Sequence, residues 1–211
     1  MDGGGIIVAA GTNGAGKSSV VQPFLEKAGA PYFNPDQFAR QLVREGIPPA
    51  EANGRAWQFG RDLLREAVDR GKSYAFETTL GGHSIAFELM RALAFGRTVS
   101  ILYVGLESAE LHIRRVAARV ARGGHDIPED MVRKRYDSSR TNVLAFIGTQ
   151  AWIRVWDNSA ESADGRPGTA RQVFEMRGAR LRLPPAAVND PQAVPPWARP
   201  LVAQAFRLGR G

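Results

Sequence analysis

Short apolar runs and longer segments of helical period take turns along the chain. The runs are Ile6–Ala10, Pro31–Phe33, Ser73–Thr78, Thr98–Gly105 and Trp152–Trp156. Between them an apolar face recurs every three or four residues over about Lys17–Ala28, Pro35–Glu45, Pro49–Arg70, Ser84–Phe95, Ser108–Arg122 and Pro128–Ile147. Continuous hydrophobic strands joined by helices are the pattern of a mostly parallel sheet covered on both faces. The spacing therefore predicts a three-layer α/β fold. Proline in or near the first turn of several helical segments marks their starts, because an amide missing there had no partner to lose. Pro23 is the misfit: inside a helix a proline costs about 3 kcal/mol, so the first helix is expected to kink or to stop early. Asp164–Gly168 reads as a turn-rich break, followed by a hairpin around Gln172–Met176 and Arg180–Leu183. From Pro184 the chain becomes rich in Pro and Ala, which predicts an extended segment and a short helix near Ala198–Leu208. Residues 1–183 are thus read as one unit, with 184–211 packed on it or trailing from it as a loose tail.

Composition narrows the function classes. A net charge of +7 suits a polyanionic partner such as a nucleotide or phosphorylated metabolite, although an Arg-rich composition alone gives the same number. The absence of Cys excludes disulfides and zinc–thiolate sites. No apolar run approaches the roughly 18 residues of a membrane span, and Met1–Gly5 lacks the basic start of a signal peptide. A cytoplasmic protein with no membrane partner is the expectation.

The first loop carries the clearest chemistry. Gly11-Thr12-Asn13-Gly14-Ala15-Gly16-Lys17-Ser18 satisfies G-x-x-x-x-G-K-[ST] between an apolar strand and a helix. Its backbone amides can turn inward around phosphate at the positive end of the helix. Lys17 would bridge the β- and γ-phosphates of ATP and Ser18 would hold Mg²⁺, with Ser19 next in the loop. Such a loop serves motors and phosphotransferases alike. A transporter-type ATPase would also need a Leu-Ser-Gly-Gly-Gln helix and an apolar strand ending in Asp-Glu, and the sequence has neither. It has instead Asp36 just after a second strand, Glu77 ending a third, and a row of arginines before a Gly-rich loop. Those are the parts of a small kinase: a base for an acceptor hydroxyl and a lid of cations for the transferring phosphate. Arg115, Arg119 and Arg122 are spaced i, i+4, i+7 and so predict one helix face, with a lid region at about residues 119–130. That face either closes over the nucleotide or is merely solvated.

Taken in order, "GTNGAGKSS", "FNPDQFA", "FETTLGG" and "RVAARVARGGHDIPEDMVRKRYDSSRTN" resemble the zeta-toxin family of P-loop kinases, over about Ile6–Ser159. The resemblance implies an adenylate-kinase-like fold with a lid and transfer of the ATP γ-phosphoryl group to a sugar hydroxyl, with UDP-N-acetylglucosamine as the family's known acceptor. It also implies an antitoxin protein as partner. It gives Asp36 the role of catalytic base, assisted by Lys17, Arg119 and Arg122. Asn34, Glu77, Thr79 and Arg115 become acceptor-binding candidates, and Asn158 lies where related kinases meet adenine. Two departures bear on the acceptor: "FETTLGG" replaces an acid-Gly-Thr sequence, and "GGHDIP" stands where an arginine-bearing lid loop is usual. Two other readings stay open, a polynucleotide or nucleoside kinase without a nucleic-acid-binding module, and an antitoxin-partnered nucleotide-binding protein. Asp36 could also serve simply as a helix cap, and Thr78, by strand alternation, is expected to face away from the site.

Overall fold

The computed structural model describes residues 4–29, 32–162, 167–184 and 190–209. A seven-stranded sheet runs through it in the order β2-β3-β1-β4-β5-β6-β7. The strands are β1 (Gly5–Ala10), β2 (Tyr32–Phe33), β3 (Tyr74–Thr78), β4 (Thr98–Gly105), β5 (Trp152–Asp157), β6 (Arg171–Arg177) and β7 (Arg180–Arg182). The first five are parallel to one another, and the last two form an antiparallel hairpin against β5. The helices are α1 (Lys17–Ala28), α2 (Pro35–Arg44), α3 (Pro49–Arg70), α4 (His83–Ala94), α5 (Ala109–Val120), α6 (Glu129–Leu144) and α7 (Arg199–Leu208). The α/β architecture, the parallel sheet and the late hairpin all follow the hydrophobic pattern. Pro31 and residues 164–166 of the expected break lie outside the described residues, as do residues 185–189 of the segment expected to be extended.

Two apolar layers sandwich the sheet. On one face Ile6, Val8, Phe76, Ile101, Tyr103 and Ile153 pack with helix residues such as Leu64, Leu89 and Val143 and with Phe146 in the turn after α6. On the other, Ala9, Ala75, Leu102 and Val104 meet Val21 and Leu25 of α1. The central position of β1 between β3 and β4 sets the site. It puts Ala9 level with Glu77 on one side and Ala10 level with Tyr103 on the other, so chemistry gathers where the chain leaves β1.

Two expectations need correcting. Helix α1 runs unbroken through Pro23 to Ala28 rather than stopping early. The carbonyl that Pro23 deprives of an amide belongs to Ser19, four residues earlier in an exposed turn, where water can satisfy it. Nor is the C-terminal segment a loose tail. Val194, Trp197, Ala198, Leu201, Val202 and Ala205 are buried in the same core as Ile101 and Ile153. Trp197 lies over the end of β4 so closely that a Cβ on Gly105 would sit 2.3 Å from its ring, and its Nε1 donates to Asp157 Oδ1 at 3.0 Å.

Candidate active site

The loop between β1 and α1 turns through left-handed backbone at Gly14 (φ 82°) and Gly16 (φ 78°), which a side chain would strain. Lys17, only 6% exposed, folds back over the loop: its Nζ donates to the Gly11 carbonyl at 2.8 Å and lies 3.3 Å from Glu77 Oε1. Glu77 is the hub of this end of the sheet. Its Oε2 accepts from Tyr32 Oη (2.9 Å), Asn34 Nδ2 (3.1 Å) and Ser18 Oγ (3.3 Å). Burial by itself would raise its pKa, but the Lys17 ammonium and the hydroxyl donors outweigh burial and hold the carboxyl below its ordinary value. The same burial, with the Glu77 charge beside it, pushes the Tyr32 phenol upward, so it stays a donor.

Asn34 resolves the ambiguity over Asp36. Its Oδ1 accepts from the Gln37 amide at 3.1 Å and so caps α2, while Pro35 fills the first turn. Asp36 is therefore not the cap, and its carboxylate turns into a cleft of about 560 Å³. Lys17, Asn34, Glu77, Thr79, Lys134 and Arg135 line the same cleft. Arg119 Nη1 lies 3.8 Å from Asp36 Oδ2, and its Nη2 donates to the His125 carbonyl at 2.7 Å. The structure thus brings Lys17, Asp36, Glu77, Asn34, Thr79 and Arg119 together. Thr78, the last residue of β3, also lines the cleft, against expectation.

Three candidates fall elsewhere. Helix α5 ends at Val120, so the expected face breaks after Arg119; Arg122 is exposed and its Nε bonds the Ala118 carbonyl. Arg115 passes beneath the loop toward the far side, with Nη2 on the Ala160 carbonyl at 3.3 Å and Nε 3.7 Å from Glu161. It does not line the cleft. Asn158 is buried and its Nδ2 donates to the Ala15 carbonyl at 2.8 Å, so its amide clamps the loop from behind.

The loop tip is also fastened to the helices that follow β4. His112 Nδ1 meets the Asn13 carbonyl at 2.8 Å, Arg135 Nη1 donates to Asn13 Oδ1 at 2.8 Å, and Thr12 Oγ1 donates to the Arg135 carbonyl at 3.2 Å. Sequence reasoning passed over His112 and did not single Arg135 out of its basic cluster. Nothing local marks either one, since their partners lie 99 and 122 residues away. Burial pushes the His112 pKa down to about 4, helped by Lys17, Arg115 and Arg140, so the neutral ring must carry its proton on Nδ1 to donate to a carbonyl. An unfolded chain takes up that proton below about pH 6.5, whereas the folded protein resists until about 4, so His112 makes stability fall as pH drops through this window. From pH 7.5 to 5 the expected loss is about 2 kcal/mol. His112→Asn, which keeps a donor near the Nδ1 position and cannot titrate, should remove that part of the decline; thermal melts of both proteins at the two pH values check it.

A family model described as an AAA domain matches residues 6–142. The chain belongs to that family. The matched span runs from β1 through most of α6 and so includes the loop, Asp36, Glu77 and Arg135. An uncharacterized protein of Haemophilus influenzae is 33% identical over 126 residues, covering 60% of this chain and 88% of that protein. Among solved structures, a chain of the AvrRxo1-ORF1:-ORF2 complex with ATP superposes with a TM-score of 0.64 at 18% identity, over 92% of this chain and 64% of that one. This chain thus spans under two thirds of the length of that neighbour. A chain of the PezAT chromosomal toxin–antitoxin system of Streptococcus pneumoniae gives a TM-score of 0.51 at 16% identity, over 81% of this chain and 72% of that one. The fold is that of P-loop kinase-like domains. Among the described residues no helix is long and apolar enough to cross a membrane.

Proposed function

We propose that the protein is an ATP-dependent kinase of the zeta-toxin type that phosphorylates a hydroxyl of a nucleotide sugar such as UDP-N-acetylglucosamine. The observation that carries this reading is the Asp36 carboxylate, released from capping by Asn34 and facing a cleft that also holds Lys17 and Arg135. Asp36 takes the proton of the acceptor hydroxyl as the new O–P bond forms and the bond between the β- and γ-phosphates breaks. Lys17, Arg119 and Arg135 spread the charge of the moving phosphoryl group, and the loop amides hold the β-phosphate. Arg115 and Asn158 support the nucleotide side of the loop rather than the acceptor. The residues at the loop fit Mg²⁺: Ser18 Oγ and Glu77 Oε2 are two oxygens 3.3 Å apart, and Mg²⁺ ordinarily completes its shell with water and phosphate. When bound, the ion neutralises charge on the phosphate oxygens. Glu77 is then a metal-side acid, a different role from the acceptor contact that the resemblance implies.

Incubation with ATP, Mg²⁺ and a panel of nucleotide sugars should give an acceptor heavier by one phosphoryl group, and hydrolysis of ATP with no phosphorylated acceptor would count against the reading. The lid supplies a finer test. Arg119→Lys should lower turnover about tenfold or more with little change in ATP affinity, since an ammonium cannot reproduce the guanidinium fork. Arg122→Lys should leave both unchanged. Steady-state kinetics of the two variants separate a lid that works through Arg119 from a row of solvated cations. A protein partner that silences the enzyme is a second element of this reading, supported by two neighbours, one from the AvrRxo1-ORF1:-ORF2 complex and one from a toxin–antitoxin system.

A further inference from the structure

Helix α3 contributes Asn53, Ala56, Trp57, Gly60 and Arg61 to the cleft wall. These positions are spaced i, i+3, i+4, i+7 and i+8 and therefore form one continuous face. A face with that spacing usually packs into a core, and part of this one does: Ala56 is buried, and the Phe33 ring lies so near Gly60 that a Cβ there would sit 2.6 Å from it. Trp57 breaks the rule. It keeps 47% of its surface exposed, with the Arg61 guanidinium 5.0 Å from its ring centre. Among the described residues the carboxylate paired with Arg61 is that of Asp62, itself exposed and 3.1 Å away, and a screened pair of that kind holds a cation only weakly. Across the cleft stand Lys134 and Arg135.

The room available also points away from the ATP site. Of the phosphate loop only Asn13 and Lys17 line the cleft; Gly14, Ala15, Gly16 and Ser18 do not, nor does Asn158 behind the loop. Most of the roughly 560 Å³ therefore lies on the acceptor side of the loop, within the range of about 300–1,000 Å³ that encloses a drug-sized ligand.

We propose that Trp57 and Arg61 form the specificity subsite for the end of the acceptor remote from the reacting hydroxyl, and that they select a planar heterocycle bearing an anionic phosphate. The indole takes the flat ring by stacking, and the guanidinium, already over the indole, takes the phosphate by charge-assisted hydrogen bonds. A neutral sugar alone would meet neither demand. This inference rests on the kinase reading for the identity of the cleft but uses none of the residues given a catalytic role.

The test uses UMP, uridine, N-acetylglucosamine and ATP as probes of the intact protein, read by tryptophan fluorescence and by calorimetry. UMP should quench wild-type fluorescence, and N-acetylglucosamine should not. Trp57→Phe should abolish the quenching while retaining binding. Trp57→Ala should weaken UMP roughly ten- to hundredfold, the usual loss when a stacking platform is removed. Arg61→Gln should weaken UMP about tenfold and uridine hardly at all, because only the nucleotide carries the phosphate. UMP affinity unchanged in both Trp57→Ala and Arg61→Gln would overturn the subsite, as would quenching of Trp57 by ATP alone, which would assign this wall to the donor. The two readings fail separately. Phosphoryl transfer to a nucleotide sugar with an unchanged acceptor KM in Trp57→Ala sinks the subsite and leaves the kinase standing. Trp57-dependent UMP binding in a protein that transfers no phosphate upholds the subsite and removes the kinase.

Discussion

Asp36→Asn is expected to cut acceptor phosphorylation by about 10²- to 10⁴-fold, the usual worth of a positioned general base, while ATP binding stays nearly unchanged. The amide keeps the size of the carboxylate, and α2 keeps its cap because Asn34 supplies it. The pair with Arg119 is lost, but at 3.8 Å between partly exposed groups it holds little of the fold together. Slow hydrolysis of ATP without acceptor should fall much less than transfer does, since water needs no base placed for an acceptor hydroxyl. Single-turnover transfer beside calorimetric ATP binding checks both halves. Loss of nucleotide binding in the variant would make Asp36 a metal-side acid and return the base to be sought elsewhere.

Lys17→Ala should remove ATP-dependent stabilisation almost completely. A ligand at a hundred times its dissociation constant adds about 2.7 kcal/mol to the stability of the state it binds, which for a domain of this size is a rise in Tm of roughly 5 to 11 °C. That rise is expected in the wild type and not in the variant. The fold itself should survive, because the Lys17 ammonium meets carbonyls and Glu77 rather than core, and Glu77 retains Tyr32, Asn34 and Ser18 as donors. Thermal scans of both proteins with and without ATP–Mg²⁺ give the comparison. Equal shifts would mean that the loop is not where the nucleotide binds.

What could be read from the sequence, and what could not, divides along the range of the interactions involved. The strands were legible because a parallel sheet buried on both faces imposes unbroken apolar runs such as Thr98–Gly105. The loop was legible because its glycines and Lys17 are consecutive. Arg122 misled because helical spacing was extended past the real end of α5, where the turn at Gly123 takes the chain out of the helix. The C-terminal segment was legible in part: its short helix, expected near Ala198–Leu208, forms at Arg199–Leu208. Its Pro and Ala content left open whether it trails, whereas Val194, Trp197, Ala198, Leu201, Val202 and Ala205 are buried in the core. Asn34 reads in sequence as an acceptor contact, whereas its side chain caps α2 and so frees Asp36. His112 and Arg135 reach the loop tip only through the folded topology, which no local pattern announces.

The fastening of the loop has a consequence for the order in which the protein is made. Residues 11–18 are made well before their last partner, because the amide that clamps Ala15 belongs to Asn158, 143 residues later. At about 5–20 residues per second the ribosome needs roughly 7 to 30 s to cover that distance. During this interval His112 and then Arg135 emerge and take hold of Asn13 from the other side. The nascent chain therefore carries the complete loop motif long before the loop is fastened on both sides. The clamp on Ala15 closes only when β5 has joined the sheet, and a chain cut short before Asn158 would leave the loop unfastened from behind.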